Sequence, residues 1–264
     1  FRLWTNTLDA SIEHLPGGPW KGSAGIQGTW QLNDVGRGGL IPDYTQWRGA
    51  LWATERWKSV ARRWEMELGV RYDYARADAS TSGSLHNVDT LVHFGGLSGT
   101  TGVLYRIADG LTLMLNSGYA WRPPHVNELF ARGVHHAVGT YEEGQPSLKP
   151  ERAWNTQINA TWQKERLSTA VTVYRNQIQD FIYLKPLSSF VLTSRGAFPS
   201  YRYEQAAALL QGLDAMVRFS IASAWTAEGQ FSAIRGRRRV SSSTSQYDDL
   251  PLMPADRVRY ALKW

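Results

Sequence analysis

Along most of the chain hydrophobic and polar residues alternate with a period of two, the spacing of a β-strand with one apolar and one polar face. The longest clean example places Trp64, Met66, Leu68, Val70, Tyr72 and Tyr74 on one face and Glu65, Glu67, Gly69, Arg71 and Asp73 on the other. Leu3 to His14 sets Leu8, Ala10 and Ile12 against Thr7, Asp9, Ser11 and Glu13, and Ser23 to Leu32 sets Ala24, Ile26, Trp30 and Leu32 against Gly25, Gln27, Thr29 and Gln31. Further runs lie at about Trp47–Arg56, Val92–Ile107, Leu111–Tyr119, Trp154–Trp162, Leu167–Phe181, Tyr203–Phe219, Trp225–Ile234 and Asp256–Trp264, so eleven strands are predicted. Aromatic residues at both ends of the Trp64–Tyr74 apolar face suit a lipid-facing strand with interfacial girdles, although one wet face of a soluble antiparallel sheet would also alternate.

The connections alternate too. Short turns fall near 15–20, 57–63, 108–110, 163–166 and 220–224, and long loops near 33–46, 76–91, 122–151, 183–202 and 235–255. Sorting of short turns to one end and long loops to the other is the habit of an outer-membrane barrel, with the long loops extracellular; a soluble sandwich has no reason for it. No apolar run approaches the roughly 18 residues that a membrane helix needs, and the mean hydropathy is −0.38, which barrel strands reach by averaging lipid-facing and lumen-facing positions. The fold class expected is therefore all-β, an antiparallel transmembrane β-barrel segment forming one domain over 1–264. The chain opens and closes within strand-like patterns, with no initiator Met or leader at Phe1, so it reads as a fragment.

Composition narrows the chemistry. The chain has 264 residues, 12 Trp, 12 Tyr, 8 Phe, 24 Gly and no cysteine, which excludes disulfides. Its net charge of +6 is concentrated at Arg235-Gly-Arg237-Arg238-Arg239 beside a Ser/Thr-rich segment. Without a zinc finger, RNP or helix-turn-helix pattern, nucleic acid is not the expected partner. The run is either a solvated loop or, through residues such as Arg237, a contact for lipopolysaccharide phosphates or an anionic cargo. No Gly-x-Ser-x-Gly, His-Glu-x-x-His or phosphate-binding glycine loop occurs, so an enzyme is not expected, and no cofactor is called for.

The 122–151 connection is the longest, and a loop of that length is uncommon without a function. Its ends carry Trp121, Arg122, Pro124, Glu128, Leu129 and Phe130, then Pro146, Leu148, Lys149, Pro150 and Glu151. This pair of motifs resembles the aromatic-Arg-x-Pro…Glu-Leu-aromatic and Pro-x-Leu-Lys-Pro-Glu signature of TonB-dependent outer-membrane receptors. Leu40-Ile-Pro-Asp-Tyr44, Gly69-Val-Arg-Tyr-Asp-Tyr74, Tyr201-Arg-Tyr-Glu204 and Leu252-Met-Pro-Ala-Asp-Arg257 are similar to pieces of the same family in the same order. The resemblance implies about eleven strands of a probable 22-stranded barrel. It also implies an N-terminal plug and TonB-contacting box upstream of Phe1, and a multi-pass place in the Gram-negative outer membrane among its lipid and lipopolysaccharide. The function implied is import of a metal chelate such as a ferric siderophore; a haem or zinc receptor, a passive porin and a barrel-anchored adhesin are the alternatives.

The same loop gathers His125, His135, His136, Tyr141, Glu142 and Glu143. Imidazole and carboxylate can ligate a transition metal or haem iron, which makes His125, His135, His136, Tyr141 and Glu142 candidate cargo contacts and His135 or His136 candidate metal ligands. Adjacent histidines in an extended segment point opposite ways, so at most one of the pair can face a given site. Solvated loop histidines are the competing reading.

Overall fold

In the computed structural model the residues described are 2–14, 18–35, 40–80, 89–239, 247–250 and 253–264. The strands are β1 Arg2–Glu13, β2 Trp20–Asp34, β3 Asp43–Lys58, β4 Trp64–Ser80, β5 Asp89–Ala108 and β6 Leu111–Arg122. A short helix, α1 Val126–Phe130, precedes β7 Arg132–His135, β8 Thr140–Glu143, β9 Glu151–Lys164, β10 Leu167–Thr193 and β11 Gly196–Ala222. The chain ends with β12 Trp225–Arg239, β13 Tyr247–Asp249 and β14 Arg257–Lys263. All fourteen strands belong to one sheet. Its long members, β1 to β6, β9 to β12 and β14, each pair antiparallel with the next, which matches the eleven runs read from the sequence. The sheet is open: among the described residues β1 pairs only with β2 and β14 only with β12.

Register decides which side chains share a face. Ile12, Ala24, Ala53 and Val70 lie side by side across β1 to β4, as do Ala10, Ile26, Leu51 and Tyr72. These are outward positions; Leu51, for instance, is 60% exposed. Aromatic pairs bound this apolar field at both ends. Trp20 meets Trp57, Trp64 stacks on Tyr105 and Trp225 meets Trp264 near the short turns, while Trp30 meets Trp47 and Tyr119 meets Trp154 at the other end. Ten positions separate Trp20 from Trp30, and ten separate Trp47 from Trp57. At about 3.3 Å per residue and a strand tilt of about 40°, that spans about 25 Å, the height of a barrel's apolar band. The inner face is polar: Arg71 binds Asp73 and Gln27, and Gln27 in turn binds Asp9.

Several expected loops are shorter than their sequence suggests. The segment 183–202 is a continuation of β10 and β11, closed by a two-residue turn at Ser194 and Arg195. Proline cannot donate to a ladder, yet Pro186 and Pro199 lie within these strands, and a register shift between Pro186 and Phe190 accommodates the missing donor. Strands β4 and β5 extend to Ser80 and from Asp89, leaving of the 76–91 loop only residues outside those described. Of the 33–46 loop, Asn33–Asp34 and Asp43–Gln46 are strand. The arginine run is strand rather than loop: Arg235 to Arg239 complete β12 and pair with β11 and β13. Alternation then places Arg237 opposite Leu209 and Arg238 opposite Ala208, on opposite faces. No described helix is long and apolar enough to cross a membrane, which says nothing about strands.

Candidate functional site

The connection from Arg122 to Glu151 folds back onto the inner face of the sheet. Pro123 and Pro124 end β6, because proline can neither donate to the ladder nor leave its neighbour free. His125 then enters α1 with extended backbone (φ −74°, ψ 157°), and its amide donates to Glu128 Oε2 at 2.7 Å, one arm of a capping arrangement. The single turn turns Val126, Leu129 and Phe130 inward against Ala77, Ala79, Leu148 and Ile182. Leu129 is 1% exposed and Ala79 is fully covered. The period-two pattern of β4 supplies alanine at inner positions 75, 77 and 79, and these small side chains are what let a helix lie so close to the sheet. The returning chain also needs Gly144, since a Cβ there would come within 2.5 Å of the Phe130 backbone nitrogen. Gly144 and Gln145 donate to the carbonyls of Ala131 and Glu128.

Glu151 joins three elements. Its Oε2 accepts from Arg122 Nε at 2.9 Å, and Arg122 Nη1 also donates to Glu128 Oε2 at 2.8 Å. Its Oε1 accepts the Ile182 amide at 2.6 Å, at an irregularity of β10 between Ile178 and Phe181 where Asp180 adopts φ +56°. Arg122 lies beyond the Tyr119–Trp154 girdle. Burial works against its charge, but the bonds to Glu151 and Glu128 outweigh this and raise its pKa. Lys149 is held through its backbone, its amide donating to Gln205 Oε1 at 2.9 Å and its carbonyl accepting Gln205 Nε2 at 2.7 Å. Pro124, Leu129 and Leu148 are buried. The sequence motif thus bolts the loop to the wall.

The hairpin of β7 and β8 turns through Gly139 (φ +67°) and lays β8 parallel to β11, with Tyr141, Glu142 and Glu143 opposite Ser200, Tyr201 and Arg202. Glu142 is buried. It accepts from His135 Nδ1 at 2.7 Å and from the Tyr203 hydroxyl at 3.3 Å, and Asn127 of α1 donates to that hydroxyl at 3.4 Å. Burial first, and the Glu142 carboxylate second, push the Tyr203 pKa up to about 12. Arg202 holds Glu143 at 2.8 Å.

The candidate residues therefore part company. His135 and Glu142 meet each other. His136, the first turn residue after β7, has a different partner and accepts from Arg195 Nη1 at 2.8 Å. Tyr141 is half-buried on β8. His125 sits apart at the start of α1, exposed in area but hemmed in by protein; that desolvation, more than the nearby Arg122 and Arg48, lowers its pKa against the pull of Glu128. Arg237 is remote on β12, 3.8 Å from Asp249. Among the described residues no group of three or more His, Asp or Glu is arranged to hold a metal ion. Asn127, Gln205 and Arg195 complete the platform without any local sequence signal, together with Tyr203 of the Tyr201–Glu204 motif; each meets a partner more than fifty residues away.

An open, antiparallel sheet with a polar inner face, a girdled apolar outer face and an inward-folded loop defines a segment of an outer-membrane-type barrel. The chain belongs to the family described as TonB dependent receptor-like, beta-barrel, whose profile matches residues 2–264. Lactoferrin-binding protein A of Neisseria meningitidis serogroup B (strain ATCC BAA-335 / MC58) is 27% identical over 126 residues, 47% of this chain and 12% of that protein. The copper transporter OprC superposes with a TM-score of 0.81 at 16% identity, covering 98% of this chain and 40% of its own. The hemophore receptor HasR of Serratia marcescens, solved with its hemophore and heme, gives 0.68 at 18% identity, covering 97% and 48%. The chain thus spans less than half the length of these relatives, and at such identities the structures attest the fold. Members of this family are transporters of the outer membrane, not enzymes.

Proposed function

We propose that the chain forms part of the barrel of a TonB-dependent outer-membrane transporter, with the long connections extracellular, and that its cargo is an intact metal chelate of the ferric siderophore type. Coupling to TonB would run through an N-terminal plug. The observation that carries the choice of cargo is the engagement of the loop histidines: His135 is held by Glu142 and His136 by Arg195. Direct ligation of haem iron or zinc would have to displace these bonds. A chelate presents an organic shell instead, for which Arg195 and Tyr141 on the β10–β11 turn and the hairpin are suitable contacts. The receptor for haem or free zinc is the second reading, and a passive porin or adhesin the third.

The test is binding of ferric siderophores, haem and Zn2+ to the full-length protein from outer membranes, with His135→Ala/His136→Ala alongside. Saturable binding of a ferric chelate that survives the double substitution supports the proposal. Haem or zinc binding abolished by the substitution would replace it with the second reading. A protein that passes solutes without saturable binding, and without dependence on TonB, would be a porin.

A further inference from the structure

The outward face carries a carboxylate with no guanidinium or ammonium partner among the described residues, where a lipid-facing surface has no use for it. Glu55 lies on β3 two positions from Trp57, about 5 Å inside the short-turn girdle along the membrane normal. Its register partners are Gly22 and Leu68, and Leu68 is plainly outward. His14 crosses Gly22 to reach it, with Nε2 at 3.1 and 3.2 Å from the two carboxylate oxygens. Glycine is required beneath them, because a Cβ at position 22 would fall 2.8 Å from that ring nitrogen and would overlap the carboxylate. Among the described residues, the other carboxylate at an outward position between the girdles is Asp256, and it is already held by both terminal nitrogens of Arg235, at 2.5 and 2.8 Å.

Beside this pair the surface is hollow. Gly22, Ala24 and Ala53 form a floor of small side chains on β2 and β3; Ile12 stands on one side, Leu68 and Val70 on the other. The depression has a volume of about 350 Å3. It is apolar towards the middle of the band and acidic at the interface. One imidazole N–H cannot saturate a carboxylate, which offers about four lone-pair sites, and the Glu55 side chain keeps 38% of its surface exposed.

We propose that this groove binds an aminophospholipid of the leaflet at the short-turn side, its primary ammonium on Glu55 and the start of an acyl chain over Ala24 and Ala53. This rests on the proposed membrane placement, not on the cargo. The ammonium supplies three donors to a carboxylate that the bilayer leaves short of them, and the groove lies at the depth of lipid headgroups. A phosphate-directed site would need basic residues at this position, and none of the groove's residues is Lys or Arg.

The test is native mass spectrometry of the full-length protein delipidated in detergent and titrated with lipids of identical chains. Phosphatidylethanolamine should bind about tenfold more tightly than phosphatidylglycerol, the span of one charge-assisted hydrogen bond. Phosphatidylcholine, which keeps the positive charge but has no N–H, should fall between them. Glu55→Gln should bring phosphatidylethanolamine down to the level of phosphatidylglycerol, and Ala53→Leu should weaken both. Equal binding of the three lipids by the unsubstituted protein would overturn the inference whether or not the variants fold, as would an undiminished preference in Glu55→Gln. Protein absent from the outer-membrane fraction would instead overturn the placement on which it rests.

Discussion

Glu151→Ala offers the sharpest test of how the 122–151 loop is held. The substitution removes the acceptor of the Ile182 amide beside the β10 irregularity; an orphaned buried N–H costs about 1–3 kcal/mol. It also strips Arg122 of one of two carboxylates. Because the Arg122 side chain is 34% exposed, water compensates in part, and about 1 kcal/mol is a fair discount of that bond. The sum, about 2–4 kcal/mol, corresponds to a rise of roughly 30- to 900-fold in the open population of the loop. Hydrogen exchange of amides in 126–148, compared with amides of β2 to β4, reads this directly. Protection should fall in the loop and stay put in the strands. Glu151→Gln keeps an acceptor for Ile182 and loses only the charge, so its effect should be about 1 kcal/mol. Unchanged loop protection in the alanine variant, or equal loss in both variants, would refute the assignment of Glu151 as the joint between β6, α1 and β10.

Two further outcomes follow from the faces and from titration. Leu51 lies near the middle of the band between Trp47 and Trp57, so Leu51→Arg should impair assembly by about 2–4 kcal/mol, against about 0–1 for Trp57→Arg at the girdle; folding into bilayers followed by heat-modifiable mobility compares them, and equal effects would contradict the band's position. His125 has a folded pKa below its ordinary 6.5, so the unfolded loop binds the proton first and the loop's stability is lost as pH falls through about 6.5. The charged groups that face His125 are Glu128, Glu151, Arg122 and Arg48. Loop exchange corrected for intrinsic rates should therefore rise below pH 6.5, and His125→Gln should flatten the response; an unaltered pH profile in the variant would exclude His125 as its source.

The strands were legible because their signal is local and repeated. Trp64 to Tyr74 needs no partner to declare two faces, and the register confirms both. The extension of β10 and β11 was hidden by Pro186 and Pro199 and by a run of serine, since local rules read these as loop; the pairing that overrides them is supplied by another strand. The motif at Arg122 and Glu151 could be seen, but its structural task could not, because Ile182 lies thirty-one residues from Glu151. Glu142 looked like a ligand for the same reason: nothing near it in the chain announces Tyr203, sixty-one residues away. Helix α1, at five residues, is too short to leave a periodic pattern.

The parallel seating of β8 on β11 bears on any attempt to simplify this barrel by design. Among the described residues, strand β12 follows β11 only as far as Ala208, and β8 occupies the same edge at Ser200 to Arg202. Replacing residues 123–150 by a tight turn would preserve every long strand pairing and still bare that edge, together with Ala77, Ala79 and Ile182, which now lie under the loop. Exposed backbone donors beside an apolar patch are a template for adding a strand from another molecule. A minimised scaffold of this kind would associate through its rim unless the edge were blocked with a charge or a proline.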